Sequence, residues 1–258
     1  MSAEATPGHT WHEAPWNRPP VQVGPRFVAA LAWALELHGT QRKKGADVPY
    51  VAHLLAVAGL VLDDGGSEKQ AAAALLHDVL EDTGATAAEV RERFGRKVAR
   101  IVVACTDVPA DAKRGKNAKH GKNAKHGKDA KHGKGRKREK RDASTWRARK
   151  ERSIAKLQDP ATPRGVLRVR AADALVNARS IVADLRRIGP ETWLRFNAGA
   201  VDQLWYHRSV AVALQARHPG LLTDELRVTV REMERLAGWW FDVGDPQPGR
   251  RPDRSTPR

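Results

Sequence analysis

The run "AAAALLHDVLEDT", residues 71–83, limits the fold more than any other part of the chain. It opens on six apolar residues, Ala71 to Leu76, so a helix built from them is apolar on every side and belongs inside the protein. His77, Asp78, Glu81 and Asp82 follow at once. A helix C-terminus carries partial negative charge, which makes three carboxylates there unfavourable. Near a core, an unpaired carboxylate costs on the order of several kcal/mol. Some cation must offset them, either a basic neighbour or a bound metal ion.

The rest of the chain reads as helices around this one. Pro25 suits a first helical turn, and "RFVAALAWALEL" runs on to His38, with Gly39 as the stop. "PYVAHLLAVAGLVL" is a second helix, ended by "DDGG". The third covers 67–82 and ends at Gly84; read as one helix, it puts His77 with Glu81, and Asp78 with Asp82, on shared faces. "TAAEVRERFGRKVARIVVAC" reads as a single fourth helix, opened by a capping box of Thr86 and Glu89. Helical pattern resumes near Thr145 in "WRARKERSIAKL". It continues through a long helix from Thr162–Pro163 to Gly189, then "NAGAVDQLWYHRSVAVALQAR" and "TDELRVTVREMERLAGWW". No alternating strand pattern occurs, so the expected fold is all-α.

The net charge of +16 suggests a nucleic-acid binder, but +10 of it lies in residues 111–142. That segment repeats Gly, Lys, Asn or Asp, Ala, Lys and His, offers almost nothing to bury, and is expected to be disordered. The expected organisation is a Pro-rich arm at 1–24, a helical domain at 25–242 with the basic insertion at 108–144, and a flexible tail at 243–258. The single cysteine, Cys105, excludes a disulfide framework and a cysteine zinc site. No apolar run reaches the 18 residues of a membrane span and the N-terminus lacks a signal pattern, so a cytoplasmic protein is expected.

Two more residues share the anomaly of the opening run. His53 lies inside "YVAHLLAVAGL", and Asp173 lies in "VRAADALVNA", each polar among apolar neighbours. One ion held by His53, His77, Asp78 and Asp173 accounts for all of them. Two imidazoles and two carboxylates without a thiolate suit a first-row divalent ion with open water positions, and helical bundles build such sites from facing helices.

The order H…HD…D resembles that of the HD phosphohydrolase superfamily. "KKGADVPYVAHLLAVAGLVL", "AAAALLHDVLEDTGAT" and "FGRKVARIVVACTD" resemble the hydrolase half of the RelA/SpoT alarmone enzymes and their small stand-alone bacterial relatives. "WRARKE", "AADALVNARSIVADLR" and "WYHR" continue the likeness, which covers roughly 26–107 and 145–215. The resemblance implies an all-helical HD fold, a manganese ion, and removal of the 3′-pyrophosphate from (p)ppGpp. It gives the metal to His53, His77, Asp78 and Asp173, and the attacking water to Glu81 and Asp82. Arg42, Lys43 and Lys44 fall in the loop that meets the nucleotide, Arg149 and Lys150 match a second basic pair, and Asn177 follows Asp173 by one helical turn.

The chain departs from the family where Lys43-Lys44 stands for Arg-Lys, where "ADALVN" stands for "ADKLHN" or "ADRLHN", and where Ser153 replaces a frequent Tyr. Ala174 and Val176 thereby remove a cation and an imidazole. These departures touch the substrate shell and leave the metal set whole. Three readings stay open: an alarmone hydrolase, an HD hydrolase of another phosphorylated nucleotide, and an impaired HD module whose basic insertion binds polyanions weakly. The insertion has no aromatic residue between 108 and 145, which denies it stacking on bases.

Overall fold

The computed structural model describes residues 21–43, 47–106 and 143–242. Most of the expected N-terminal arm, Lys44, nearly all of the Lys/His-rich insertion and the tail lie outside the described residues. The helices are α1 (Pro25–His38), α2 (Val51–Asp63), α3 (Glu68–Leu75), α4 (Val79–Asp82), α5 (Ala87–Phe94) and α6 (Arg96–Cys105). After the insertion come α7 (Ala143–Gln158), α8 (Arg164–Ile188), a 3₁₀ segment (Gly189–Arg195), α9 (Ala200–Arg217) and α10 (Leu221–Asp242). Among the described residues the only bridge of β type is the isolated antiparallel pair Arg42 and Pro49. The all-α expectation holds.

Two elements form the interior. α3 is buried on every side, from Ala71 through Leu75, and touches α1, α2, α6 and α8. Its four successive alanines let those neighbours approach closely. α8 runs 25 residues, about 37 Å at helical rise, and packs against α2, α3, α6, α9 and α10. Leu167, Leu175, Ala171, Ala172 and Ala178 on α8 are fully or almost fully buried. Asp173 therefore rides on one of the two most enclosed helices, and His77 and Asp78 follow directly on the end of the other.

Two helices expected to be continuous are broken. The third stops at Leu75, turns over Leu76–Asp78, and restarts as α4 at Val79. The turn uses short backbone bonds, Leu76 N to Ala73 O at 3.2 Å and Val79 N to Leu76 O at 3.2 Å. The His77 ring bonds the Ala74 carbonyl at 2.7 Å, the acceptor that a straight helix would give to the amide of Asp78. The face-sharing expected of His77 with Glu81 is therefore set by a turn and not by one helical register. The fourth helix breaks at Gly95, whose φ of 86° is the left-handed backbone that favours glycine. The capping box of Thr86 and Glu89 forms, with Glu89 N to Thr86 Oγ1 at 3.2 Å.

Long-range polar contacts join the helix ends. Glu68 on α3 caps the start of α1, accepting from Gly24 N at 3.1 Å and Arg26 Nη1 at 2.9 Å. Asp64, just after α2, accepts from Arg168 Nε at 2.7 Å and lies 2.9 Å from His218 Nε2. Burial alone would raise the Asp64 carboxyl, but the bonds from His218 and Arg168 outweigh it and hold it below the usual carboxylate value.

A folded pKa below the unfolded one means that the folded chain gives up this proton more readily. The stabilisation is present above the unfolded value, near 3.9, and is lost as pH falls through the folded value. Asp64→Asn is expected to lower the unfolding free energy at pH 7 by on the order of 3 kcal/mol, because Arg168 loses its charged partner and keeps only Gln70. Denaturant titrations at several pH values check this: the gap between parent and variant holds down to about pH 5 and narrows below about pH 4.

Candidate metal centre

Three parts of the fold deliver polar atoms to one point. His53 sits in the first turn of α2, His77 and Asp78 occupy the turn between α3 and α4, and Asp173 lies midway along α8. His53 is 4% exposed and His77 2%. Their Nε2 atoms face each other at 3.4 Å. Asp78 Oδ2 is 3.0 Å from His77 Nε2 and 3.9 Å from His53 Nε2. Asp173 Oδ1 is 3.4 Å from His53 Nε2 and 3.6 Å from His77 Nε2.

These spacings suit a shared cation. Donors about 2.1 Å from one ion lie roughly 3.0–3.4 Å apart in octahedral or tetrahedral arrangement. The ligand atoms of His53, His77 and Asp78 all fall within 4.8 Å of one another. Orientation agrees with spacing. The Ala74 carbonyl can only accept, so Nδ1 of His77 carries a proton and Nε2 faces the centre, where it either holds the charging proton or gives it up and offers a lone pair to an ion. The donor set thus fits a divalent metal.

The electrostatics give the same account. Burial alone would lower the His77 pKa, but the charge of Asp78 and the bonds with Asp173 and Asp78 hold it well above the usual imidazole value. Burial alone would raise Asp173, but its bonds with His53 and His77 hold it well below the carboxylate range. Asp78 is lowered too, where the His77 charge outweighs burial. These directions favour positive charge at the middle of the cluster. A proton on His77 supplies one unit, and a divalent ion supplies two.

A second layer fixes the carboxylates. The Tyr50 hydroxyl donates to Asp78 Oδ2. Burial, then the Asp78 charge, raises the Tyr50 phenol far above its ordinary value, with smaller contributions from Asp173 and Asp82. Asn177 Nδ2 donates to Asp173 Oδ1 at 2.6 Å, so its amide is engaged on that carboxylate. Arg170 Nη1 lies 3.9 Å from Asp173 Oδ2. Its other amino group donates to Ser153 at 2.8 Å and Tyr206 at 3.3 Å, tying α8 to α7 and α9.

Glu81 and Asp82 lie on α4, whose first backbone bonds run from Glu81 N and Asp82 N to Asp78 O at 3.0 and 2.9 Å. Glu81 is half-buried and Asp82 exposed. Lys43 reaches α8, its ammonium 3.3 Å from Ser180 Oγ. Arg42 is turned to Asp47, at 2.7 Å, and to solvent. Lys150 lies over the Tyr206 ring at 4.7 Å, and Arg149 precedes it on α7.

Sequence reading did not single out Tyr50, Arg170 or His207. Tyr50 precedes His53 by three residues and Arg170 precedes Asp173 by three, so helical spacing was the available signal. His207 lies inside the stretch "WYHR" that continues the family likeness, which gave it no role of its own. Burial pushes its imidazole down to about 4, Lys150 adds to this, and Asp173 opposes it.

The HD domain profile matches residues 30–194. The chain is 44% identical over 77 residues to a probable guanosine-3′,5′-bis(diphosphate) 3′-pyrophosphohydrolase of Synechocystis sp., which is 30% of this chain and 10% of that protein. It is 43% identical over 79 residues to the guanosine-3′,5′-bis(diphosphate) 3′-pyrophosphohydrolase of Aquifex aeolicus, covering 31% and 11%. It is 40% identical over 84 residues to such an enzyme of Xenopus tropicalis, covering 31% and 47%. The matched part is thus about a tenth of the two bacterial relatives and under half of the Xenopus one. Among solved structures, a metazoan ortholog of SpoT described as hydrolysing ppGpp superposes with a TM-score of 0.56 over 84% of this chain and 98% of that one. At 22% identity, that likeness establishes the fold.

Tyr50→Phe removes the donor to Asp78 and leaves the ring. Metal affinity is expected to fall about 10- to 100-fold, the usual effect of losing an outer partner of a ligand. Calorimetric titration of metal-stripped protein with manganese checks this, and an unchanged affinity would place Asp78 outside the coordination.

Proposed function

The chain belongs to the HD-domain family, and we propose that it is a metal-dependent phosphohydrolase that removes the 3′-pyrophosphate of (p)ppGpp. One observation carries the reading: the Nε2 atoms of His53 and His77 each lie within 3.0–3.9 Å of a carboxylate oxygen of Asp78 and of Asp173, with His53, His77 and Asp78 the tightest set and α4, which carries Glu81 and Asp82, starting directly after Asp78. His53, His77, Asp78 and Asp173 would hold the ion, and manganese is the proposed metal, consistent with a nitrogen and oxygen donor set. When bound, such an ion polarises a phosphoryl oxygen and acidifies water.

The chain's own residues do the rest. Glu81 and Asp82 orient the attacking water, and one of them accepts its proton. The water oxygen bonds to the phosphorus, the bond from that phosphorus to the 3′ oxygen breaks, and the 3′ oxygen leaves as a hydroxyl after protonation. Lys43, Lys44, Arg149 and Lys150 supply positive charge for the phosphates, with Arg42 at the mouth of the loop. His207, kept neutral by burial, adds no charge beside Lys150. Asn177 serves Asp173 first, and reaches a nucleoside only by giving up that bond.

A second substrate reading has its own observation. Val176 is almost fully buried and Ala174 half-buried, so the positions that carry an imidazole and a cation in relatives offer no polar contact here. The same centre acting on another phosphorylated nucleotide fits that loss. No helix among the described residues is long and apolar enough to cross a membrane, and a nucleotide substrate implies the cytoplasm. The charge of 111–142 supports, in addition, weak salt-dependent binding of polyanions.

Turnover of ppGpp, pppGpp and common nucleotides by the manganese-loaded protein tests the substrate. Glu81→Gln with Asp82→Asn tests the mechanism. Metal content is expected to stay near that of the parent while turnover falls by about 10² to 10⁴, the usual contribution of acid–base catalysis. Unchanged turnover ends the catalytic role, and loss of metal makes these residues ligands instead.

A further inference from the structure

The loop between α1 and α2 does more than carry basic residues. Gln41 Nε2 donates to Asp82 Oδ2 at 2.9 Å, and Gln41 Oε1 lies 2.8 Å from Nδ1 of His38. The chemistry fixes both roles. A carboxylate accepts, so the amide nitrogen must face Asp82 and the amide oxygen must face His38. His38 then carries its proton on Nδ1 and donates it. Its other ring nitrogen, Nε2, is buried and has no hydrogen-bond partner among the described residues.

The backbone holds this arrangement in place. Gln41 N donates to His38 O at 2.7 Å, and Tyr50 N donates to Gln41 O at 2.8 Å. The His38 and Tyr50 rings pack with centroids 5.0 Å apart. One end of the loop thus reaches Asp82 through Gln41, and the other reaches Asp78 through Tyr50. The two acids are themselves joined by Asp82 N to Asp78 O at 2.9 Å.

We propose that Gln41, oriented by His38, is a positioning residue for Asp82. Its amide engages Oδ2 and turns Oδ1 toward the water that Asp82 deprotonates. The inference rests on the proposed role of Asp82 as a proton acceptor. It adds a part that neither the metal set nor the basic loop residues supply: a fixed direction for an exposed carboxylate, which would otherwise sample several rotamers. Misdirecting a reacting group by about 1 Å costs as much as 10²-fold in rate, so the effect is measurable.

A double-mutant cycle on the manganese-loaded full chain separates positioning from general structural damage. Gln41→Met keeps the side-chain length and removes the amide. In the parent it is expected to lower kcat about tenfold, with KM within about twofold and metal content and Tm near the parent's. In the Asp82→Asn background the same substitution is expected to change kcat by less than about twofold, because residues acting as a unit are not additive. An equal loss in both backgrounds, or none in the parent, overturns the proposal. Unchanged turnover in Asp82→Asn alone overturns the proton-acceptor role itself, which is a different result. A readout independent of turnover is the Gln41 side-chain amide resonance, identified by its loss in Gln41→Met. It is expected to move in Asp82→Asn, and a fixed position overturns the hydrogen bond.

Discussion

Two buried imidazoles and two partly buried carboxylates in one shared space set the terms for the rest of the molecule. Burying such a group uncompensated is costly, and the cluster compensates itself only in part. His77 is held protonated more readily than a free imidazole, and Asp78 and Asp173 are held ionised, each at the expense of desolvation. A cation at the centre relieves all of these opposing demands together. The spacing of the His53, His77, Asp78 and Asp173 polar atoms, together with these directions, is the basis on which a bound cation is proposed.

The scaffold is arranged to keep that cluster rigid. The alanine run of α3 lets α1, α2, α6 and α8 close around it, and of these α8 crosses the interior. The break at Leu76–Asp78 re-aims His77 and Asp78, and the Ala74 carbonyl locks the His77 ring. Outer partners complete the arrangement: Tyr50 on Asp78, Asn177 and Arg170 on Asp173, and Gln41 on Asp82. They come from two segments, the loop between α1 and α2 and the helix α8, so the geometry of the centre depends on how both are held against α4.

Much of this was legible in the sequence. Proline, glycine and capping residues marked the helices, and polar residues stranded in apolar helices marked His53 and Asp173. The break at Gly95 had its signal, since a glycine inside a helical run is a candidate stop. The break before Val79 had none, because Leu76, His77 and Asp78 include neither glycine nor proline. That turn comes with a local bond, the His77 ring on the Ala74 carbonyl, which no breaker residue announces. Gln41 was hidden for another reason, being 41 residues from Asp82 along the chain and adjacent only in the fold. Arg168 and Asp64, separated by 104 residues, show the same limit.

Anomalous diffraction at the manganese edge, on crystals of the protein loaded with that metal, addresses the central claim most directly. One strong peak is expected at about 2.0–2.3 Å from Nε2 of His53, Nε2 of His77 and a carboxylate oxygen each of Asp78 and Asp173. A peak elsewhere, or none while these four side chains bond only to one another, would contradict that claim.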